Sequence, residues 1–268
     1  MVLPPNDMPK LTCPSCLYTR SWKLRRGARR CKKCRKEFRE GTYPVAGIRS
    51  TKEEWFICIQ TFLSERSIRA VTERTGFGQS RVEKMLHHLR VCMNSDVPAL
   101  FVGRCEADET FIGGQRKNKR LHIRRIGKRH VTYKIPIVGV YSRKSGQVAT
   151  KVVYTRNEKS VIGFIVSQLD PCRAVLYTDG YKMNRAVRKH GIRHFYVNHH
   201  LGEYKRGAIH TNGIEGFWGY LKRYLAVIGG IRHDRFPLFV GELTWRYNHR
   251  KLSSRQREEA LLRLVLDP

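Results

Sequence analysis

The sequence predicts a mixed α/β domain that is preceded by two small domains. Three observations lead to this prediction: two C-x-x-C pairs near the N-terminus, helix-start signals in the next fifty residues, and an alternation of apolar strands and helical segments after residue 100. We therefore divide the chain into a metal-binding segment 1–48, a helical segment 49–98 and a core segment 99–268.

The composition indicates a folded protein with a polyanionic partner. The chain has 268 residues, of which 53 are Lys or Arg and 22 are Asp or Glu, which gives a net charge of +31. Hydrophobic residues make up 41% of the chain, enough for a core. Such an excess of positive charge favours DNA as the partner, because its phosphates release counterions on binding. The prediction is double-stranded DNA as partner and no membrane.

The N-terminal cysteines have the spacing of a zinc site. Cys13 and Cys16 form one pair, Cys31 and Cys34 form the other, and 14 residues separate the pairs. We see no secretory signal, so we expect a reducing cytoplasm (the nucleoid, if the source is bacterial), where cysteines favour metals over disulfides. Four thiolates suit one structural Zn²⁺ in a zinc ribbon, and disulfides are the alternative.

The other four cysteines lie among apolar residues, and we expect them to be small buried side chains. They are Cys58, Cys92, Cys105 and Cys172.

The helical segment has the layout of a helix-turn-helix. Capping boxes at Thr51–Glu54 and Ser80–Glu83 open two helices, Ser67 opens a shorter one between them, and Gly76 ends it. A plain three-helix connector is the alternative. The predicted DNA contacts on the last helix are Ser80, Arg81 and Lys84.

The core segment opens with a strand that carries acidic residues. The sequence FVGRCEADETFIGG predicts a strand in which Glu106 and Asp108 share one face and Glu109 lies on the other. A very basic stretch follows, and we predict DNA contacts there, although a solvated loop is the alternative. These contacts are Arg116, Lys117, Lys119, Arg120, Arg124 and Arg125.

The order of the following elements is typical of a ribonuclease-H-like fold. Three antiparallel strands are followed by helix, strand, helix, strand and helix. Asp108 lies on the first strand, Asp179 just after the fourth and Glu215 on the helix after the fifth. Three carboxylates brought together repel one another unless they share hard cations, so Mg²⁺ or Mn²⁺ is the predicted cofactor.

Each acid also has a simpler interpretation. Asp179 could shape a turn, Glu215 could complete a capping box with Asn212, and Asp108 could pair with an arginine.

Three blocks of sequence resemble a known family. ADETFIGG, YTDGY and HTNGIEGFWGYLKR resemble the signature blocks of DDE transposases of bacterial insertion sequences, in the group related to Merlin elements. The resemblance implies that Asp108, Asp179 and Glu215 are the catalytic acids and that Lys222 contacts a DNA phosphate. It makes Asn212 a second-choice metal ligand. We predict one packing helix in the basic C-terminal part, where Arg246 and Arg250 are further predicted phosphate contacts.

The resemblance also implies a reaction. Cleavage at the end of the element frees a 3′-OH, which then attacks target DNA in a transesterification, with no nucleotide cofactor. Because two element ends must be held together, it implies a homodimer or higher oligomer on terminal-repeat and target DNA. A structure-selective, resolvase-like nuclease and a catalytically inactive DNA-binding regulator are the alternatives.

Overall fold

The computed structural model divides the chain into two compact units. It describes residues 20–25, 28–39, 42–45, 48–65, 67–113, 134–154, 158–179, 187–197, 206–228 and 230–266. The first unit comprises Met1–Cys92 with Leu252–Pro268, and the second comprises Met93–Lys251. This grouping differs from the predicted segments, because Leu252–Pro268 falls with the N-terminal residues and not with the core.

The first unit begins with short antiparallel strands. A three-stranded sheet has the order β1-β2-β3, and a separate hairpin pairs β4 with β5. The strands are β1 Ser21–Lys23, β2 Ala28–Cys31, β3 Glu37–Arg39, β4 Thr42–Val45 and β5 Ile48–Thr51.

Three helices follow, with the boundaries that capping chemistry dictates. They are α1 Lys52–Glu65, α2 Ile68–Thr75 and α3 Gln79–Ser95. Thr51 and Glu54 form the predicted capping box, with the Thr51 amide 3.0 Å from Glu54 Oε2 and the Glu54 amide 3.2 Å from Thr51 Oγ1. Ser67 caps α2, and Gly76 ends it in the left-handed conformation (φ 68°).

The start of α3 differs from the prediction. The helix begins at Gln79, and the Gly78 carbonyl accepts hydrogen bonds from the amides of Arg81 and Val82. Ser80 is therefore already inside the helix, and Glu83 accepts a hydrogen bond from the side chain of Gln79 at 2.9 Å.

The C-terminal helix α7, Ser254–Leu266, packs against α1. Trp55, Ile59 and Phe62 on α1 are fully buried, as are Leu261 and Val265 on α7. The sequence predicted one helix in the C-terminal part. The structure has a second one before it, α6 Phe236–Asn248, which belongs to the other unit.

The second unit is built on a five-stranded mixed sheet with the order β10-β9-β6-β7-β8. The central strand β6 runs parallel to β9 and antiparallel to β7, and the outer pairs are β9 with β10 (parallel) and β7 with β8 (antiparallel). The strands are β6 Phe101–Ile112, β7 Ile135–Ser142, β8 Val148–Val152, β9 Leu169–Thr178 and β10 Arg193–Tyr196.

Helices cover both faces of this sheet. One face packs against α4, Glu158–Ser167, and the other against α5, Asn212–Ile228, and α6. Strand β6 alternates between the two faces: Cys105 and Ala107 belong to the α4 side, whereas the side chains of Glu106 and Asp108 hydrogen-bond to α5. The mixed α/β architecture predicted from the sequence is therefore confirmed.

Two further observations concern the cysteines and the membrane. Cys58, Cys92 and Cys105 are buried as predicted, and burial raises the pKa of Cys58 and of Cys105 to about 12. The prediction is wrong for Cys172, which is exposed. No helix in the described part of the chain is long and apolar enough to cross a bilayer.

Candidate active site

Asp108 lies in the middle of the central strand and is held on both carboxylate oxygens. Its Oδ1 accepts a hydrogen bond from the Glu109 amide at 2.7 Å, and its Oδ2 accepts one from the Trp218 indole at 3.0 Å. Trp218 lies on α5, three residues after Glu215. The two bonds fix the orientation of the carboxylate relative to strand and helix.

The charges of Asp179 and Glu215 act on Asp108. Burial is the largest cause that raises the pKa of Asp108 to about 7, followed by the negative charge of Asp179 and, more weakly, that of Glu215. The hydrogen bonds from Glu109 and Trp218 lower this pKa and only partly offset the rise. The chain therefore brings together carboxylates that are 71 and 36 residues apart in the sequence.

The carboxylates of Asp108, Asp179 and Glu215 are near one another but do not converge on a single metal position. Within the residues that the structure describes, no three His, Cys, Asp or Glu side chains form a ready-made group that could hold a metal ion.

Asp179 directly follows β9 and is half-buried. Because β9 and β6 are parallel neighbours, the end of β9 lies beside the strand that carries Asp108. Thr178, the preceding residue, is anchored by a hydrogen bond of 2.8 Å between its Oγ1 and Nε2 of the buried His194 on β10. Burial lowers the pKa of His194 to about 4, so the ring is neutral at pH 7 and serves as a fixed partner.

Glu215 lies exposed in the first turn of α5. Its Oε1 accepts a hydrogen bond from Thr211 Oγ1 at 2.7 Å, and its amide donates to the Thr211 carbonyl. The structure thus gives Glu215 a different partner from the alternative capping box, in which Asn212 would be the cap. Asn212 is instead the first residue of the helix, and its side chain is exposed.

Trp218 reaches Asp108 because the facing strand carries a glycine. Gly139 on β7 pairs with Asp108 in the sheet register. A Cβ at position 139 would lie 2.7 Å from the Trp218 ring and 2.9 Å from Ile214. Trp218 itself is 4% exposed, so it is a core side chain and not a platform for stacking a base.

A second acid on the same strand face binds the start of the helix. Glu106 is buried and accepts hydrogen bonds from the Ile214 amide at 2.9 Å and from Arg143 Nε at 2.5 Å. The sequence placed Glu106 on the face of Asp108 but assigned it no role. Nor did it single out Arg143, Thr211 or His194, because each acts through a partner that is distant in the sequence.

The predicted DNA contacts of the core have different surroundings. Lys222 on α5 is exposed. Arg250 is exposed too, and its Nη1 donates to the Gly146 carbonyl at 2.9 Å. Arg246 does not fit the prediction, because its side chain is 5% exposed and pairs with the buried Glu242 at 2.9 Å. It is therefore an interior residue.

In the first unit, Lys84 is exposed on α3, as predicted for a DNA contact. Arg81, by contrast, hydrogen-bonds to Glu54 Oε2 at 2.5 Å and to Ser50 Oγ at 2.9 Å, and stacks on Phe77. These bonds commit its guanidinium to the fold of the unit.

Half of the predicted zinc site lies within the described residues. Cys31 is buried at the end of β2, and its sulfur accepts hydrogen bonds from the amides of Lys33 at 3.3 Å and Cys34 at 3.5 Å. Cys13 and Cys16 lie outside the described residues.

The predicted basic stretch also lies outside the described residues. It comprises Arg116, Lys117, Lys119, Arg120, Arg124 and Arg125.

Comparison with known proteins agrees with the sequence resemblance. Residues 101–248, more than half of the chain, match the family model described as the ISXO2-like transposase domain. A curated relative, an uncharacterized transposase-like protein of Haemophilus influenzae, is 29% identical over 108 residues, which cover 40% of this chain and 86% of the relative.

Two solved structures of viral proteins show low similarity to this chain. A chain of the simian T-cell lymphotropic virus intasome in complex with PP2A regulatory subunit B56 gamma is 15% identical, with a TM-score of 0.36, and the match covers 73% of this chain and 69% of that one. The HTLV-2 integrase catalytic core domain in complex with magnesium is also 15% identical, with a TM-score of 0.32, over 55% of this chain and 85% of that one.

Proposed function

We propose a DNA strand-transfer reaction for this chain, which belongs to the ISXO2-like transposase domain family. In this reaction the protein binds the ends of an insertion sequence, cleaves to free a 3′-OH and joins that hydroxyl to target DNA. One observation carries the proposal: the charges of Asp179 and Glu215 act on the half-buried Asp108 and help to raise its pKa to about 7. Strained clusters of acids are typical of functional sites.

The acids fit divalent cations. All three side chains offer carboxylate oxygens, the donors that Mg²⁺ and Mn²⁺ prefer, and a cation between them would remove the repulsion that perturbs Asp108. Cations held there would supply activation of the attacking oxygen and stabilisation of the leaving oxygen of a phosphodiester.

The surrounding residues orient these donors. The Glu109 amide and the Trp218 indole each occupy one acceptor site of Asp108, and Thr211 occupies one of Glu215. A carboxylate has about four acceptor sites, so each acid keeps free sites for a ligand while its rotation is restricted. The ribonuclease-H-like arrangement that we propose for this unit is supported by the sheet order β10-β9-β6-β7-β8.

Lys222 and Asn212 flank Glu215 on the same helix. Lys222 follows Glu215 by two helical turns, about 10 Å along the axis and on the same face. We assign it a phosphate of the element end. Asn212 is exposed one turn before Glu215 and is a second-choice metal ligand.

We assign recognition of the element ends to the first unit. Helices α2 and α3, joined by a turn around Gly76, have the sequence of elements of a helix-turn-helix, and Ser80 and Lys84 are exposed on α3. The two amides that point at Cys31 suit a thiolate, which supports a structural Zn²⁺ held with Cys34, Cys13 and Cys16. Because two ends must be joined, the active form is at least a homodimer.

The test is a joining assay. The protein is incubated with an oligonucleotide that carries the terminal repeat, with a target plasmid and Mg²⁺, and joined products are expected. Asp179→Asn and Glu215→Gln, which remove charge at nearly constant size, are expected to abolish joining. The matched control is Asp170→Asn on β9, the strand that leads to Asp179, where the carboxylate forms an ion pair with Arg173 at the surface.

The other outcomes select other functions. Cleavage without joining would identify a nuclease. Binding of the terminal repeat by wild-type protein that neither cleaves nor joins would identify a DNA-binding regulator. Normal joining by Asp179→Asn or Glu215→Gln would show that the assignment of these acids to the active site is wrong.

A further inference from the structure

Glu106 is a buried acid that the proposed reaction does not use. It lies two residues before Asp108 on the same face of β6, with 1% of its surface exposed. Both of its carboxylate oxygens have partners in the protein: Oε2 accepts from the Ile214 amide and Oε1 from Arg143 Nε. A buried carboxylate with both oxygens engaged in this way is poorly suited to be a metal ligand, so its role must be sought through its partners.

The first partner is the start of the helix that carries Glu215. Ile214 is the third residue of α5, so its amide has no acceptor within the helix and needs one from outside. Glu106 supplies it, at the helix end where negative charge is also favoured by the helix dipole. The next residue along the chain is Glu215, so this bond connects the strand of Asp108 to the backbone of Glu215.

The second partner, Arg143, holds the segment that leads into the helix. Arg143 directly follows β7, and apart from its bond to Glu106 it donates from Nη1 to the Ala208 carbonyl at 2.8 Å and from Nη2 to the His210 carbonyl at 2.7 Å. One guanidinium therefore ties Glu106 to the approach of α5. An arginine suits this task, because its donors are fixed in a planar fork.

A glycine permits the close approach on which this connection depends. A Cβ at Gly213, in the first turn of α5, would lie 2.9 Å from Glu106 Oε2 and would collide with the ring of Tyr141. One turn later, the Trp218 indole bonds to Asp108. The helix is thus attached to β6 at two successive points, and Glu215 lies between them.

We infer that Glu106 and Arg143 are positioning residues that set Glu215 relative to Asp108 for binding of a shared divalent cation. The inference rests on the proposed function for its cation, but it concerns residues to which that function assigns no role. Loss of partners that orient metal ligands commonly costs about 10- to 100-fold in metal affinity. We therefore expect a defect in metal affinity that high metal concentration corrects, and not a loss of chemistry at saturation.

The test measures metal affinity directly. Binding of Mn²⁺ is followed by the electron paramagnetic resonance of the free ion, with and without a DNA duplex, and the Mg²⁺ concentration for half-maximal joining is measured in parallel. Glu106→Gln and Arg143→Gln are each expected to raise both midpoints about tenfold. At saturating metal their joining rates are expected to return to within a few-fold of wild type.

A matched control separates positioning from general damage. Glu242 and Arg246 form a second buried carboxylate–guanidinium pair in the same unit, with both partners on α6. Glu242→Gln is expected to lower the melting temperature much as Glu106→Gln does, with both metal midpoints unchanged. If Glu106→Gln does not fold, Arg143→Lys replaces it: the charge is kept, the two carbonyl contacts are lost, and the midpoints still rise.

Three results would overturn the inference. Folded Glu106→Gln or Arg143→Lys with wild-type midpoints would show that the pair does not act on the acids. Complete loss of Mn²⁺ binding in Glu106→Gln, as in Asp108→Asn, would make Glu106 a ligand. Absence of Mn²⁺ binding by the wild-type protein would show that the acids do not share a divalent cation, so the pair would have nothing to position. If wild-type protein binds Mn²⁺ but joins no DNA, the proposed function fails while the Mn²⁺ midpoints still decide this inference.

Discussion

Asp108 shows that a single carboxylate can be held firmly and still be electrostatically unfavourable. Its two hydrogen bonds favour the ionised form, yet burial and the neighbouring acids raise its pKa from 3.8 to about 7. The folded chain therefore holds this proton more tightly than the unfolded chain. The contribution of Asp108 to the free energy of unfolding therefore decreases as the pH rises from about 4. Above about pH 7 the destabilisation by its buried charge is complete.

Replacement of this carboxylate should therefore stabilise the metal-free protein at high pH. Asp108→Asn is expected to raise the melting temperature more at pH 8 than at pH 5, because the unfavourable charge exists mainly at pH 8. A change of about 1 kcal/mol corresponds to a shift of about 2–4 °C at this size. Thermal melts without metal test this, and equal shifts at both pH values would contradict it. Added Mg²⁺ should stabilise wild type at pH 8 but not the variant.

Gly139 allows the indole of Trp218 to reach Asp108. Gly139→Ala would place a Cβ 2.7 Å from that ring, and overpacking of this kind costs about 1–3 kcal/mol. The variant should lower the free energy of unfolding and displace the donor from Asp108. Denaturant titrations measure the first effect.

A double-mutant cycle with Trp218 distinguishes a clash between the added methyl group and the indole from a general defect at the strand. In a Trp218→Phe background the smaller ring leaves room for the added methyl group. Gly139→Ala should then cost less than it does in wild type, a non-additivity that identifies contact. Equal costs in both backgrounds would show that the strand, and not the indole, resists the substitution.

Among the elements, those with a clear local signal were predicted from the sequence. The strand of Asp108, the hairpin of β7 and β8, and helix α4 follow from alternation and from turn residues. Ser67 and Gly76 bound α2 as predicted, because capping is local chemistry. Helix α6 was not separated from α7, since no residue of its sequence FPLFVGELTWRYN is exposed and the helix lacks a polar stripe.

The meeting of the acids was predictable only as a consequence of fold order. Asp108, Asp179 and Glu215 were expected together from the order of strands and helices, and the electrostatic effect of the other two on Asp108 agrees. The burial of Arg246 and the partners of Glu106 were not predictable, because they depend on which face of one element meets another. A charged residue reads the same in sequence whether it faces solvent or an ion-pair partner.

The turn between β2 and β3, where Cys34 follows Cys31, leads to a prediction about the zinc content of the protein. Metal analysis of carefully prepared protein should find about one Zn²⁺ per chain. Cys31→Ser should release it and weaken binding of the terminal repeat, because the amides of Lys33 and Cys34 are arranged around this sulfur. Mn²⁺ binding by the variant should persist. Protein that contains no zinc would refute the zinc ribbon.

At the scale of the whole molecule, the net charge of +31 should govern binding to DNA. The logarithm of affinity is expected to fall linearly with the logarithm of salt concentration. Lys84→Gln and Lys222→Gln should each reduce that slope by about one, because each residue is assigned one phosphate.

A paired cation provides the control for this measurement. Arg173→Gln should change the slope less, because the guanidinium is already paired with Asp170. Fluorescence anisotropy over a series of salt concentrations measures all three variants. Slopes unaffected by Lys84→Gln and Lys222→Gln would place the DNA elsewhere on the protein.

The grouping of α7 with α1 also orders events during synthesis. Every residue of the unit Met93–Lys251 leaves the ribosome before Ser254–Leu266 does. Helix α1 is made early but cannot form its contacts with α7 until Ser254–Leu266 has been synthesised. The unit assigned to recognise DNA ends is thus completed after the unit assigned to cut them, and a released chain that ends near residue 251 would contain the three acids but lack α7.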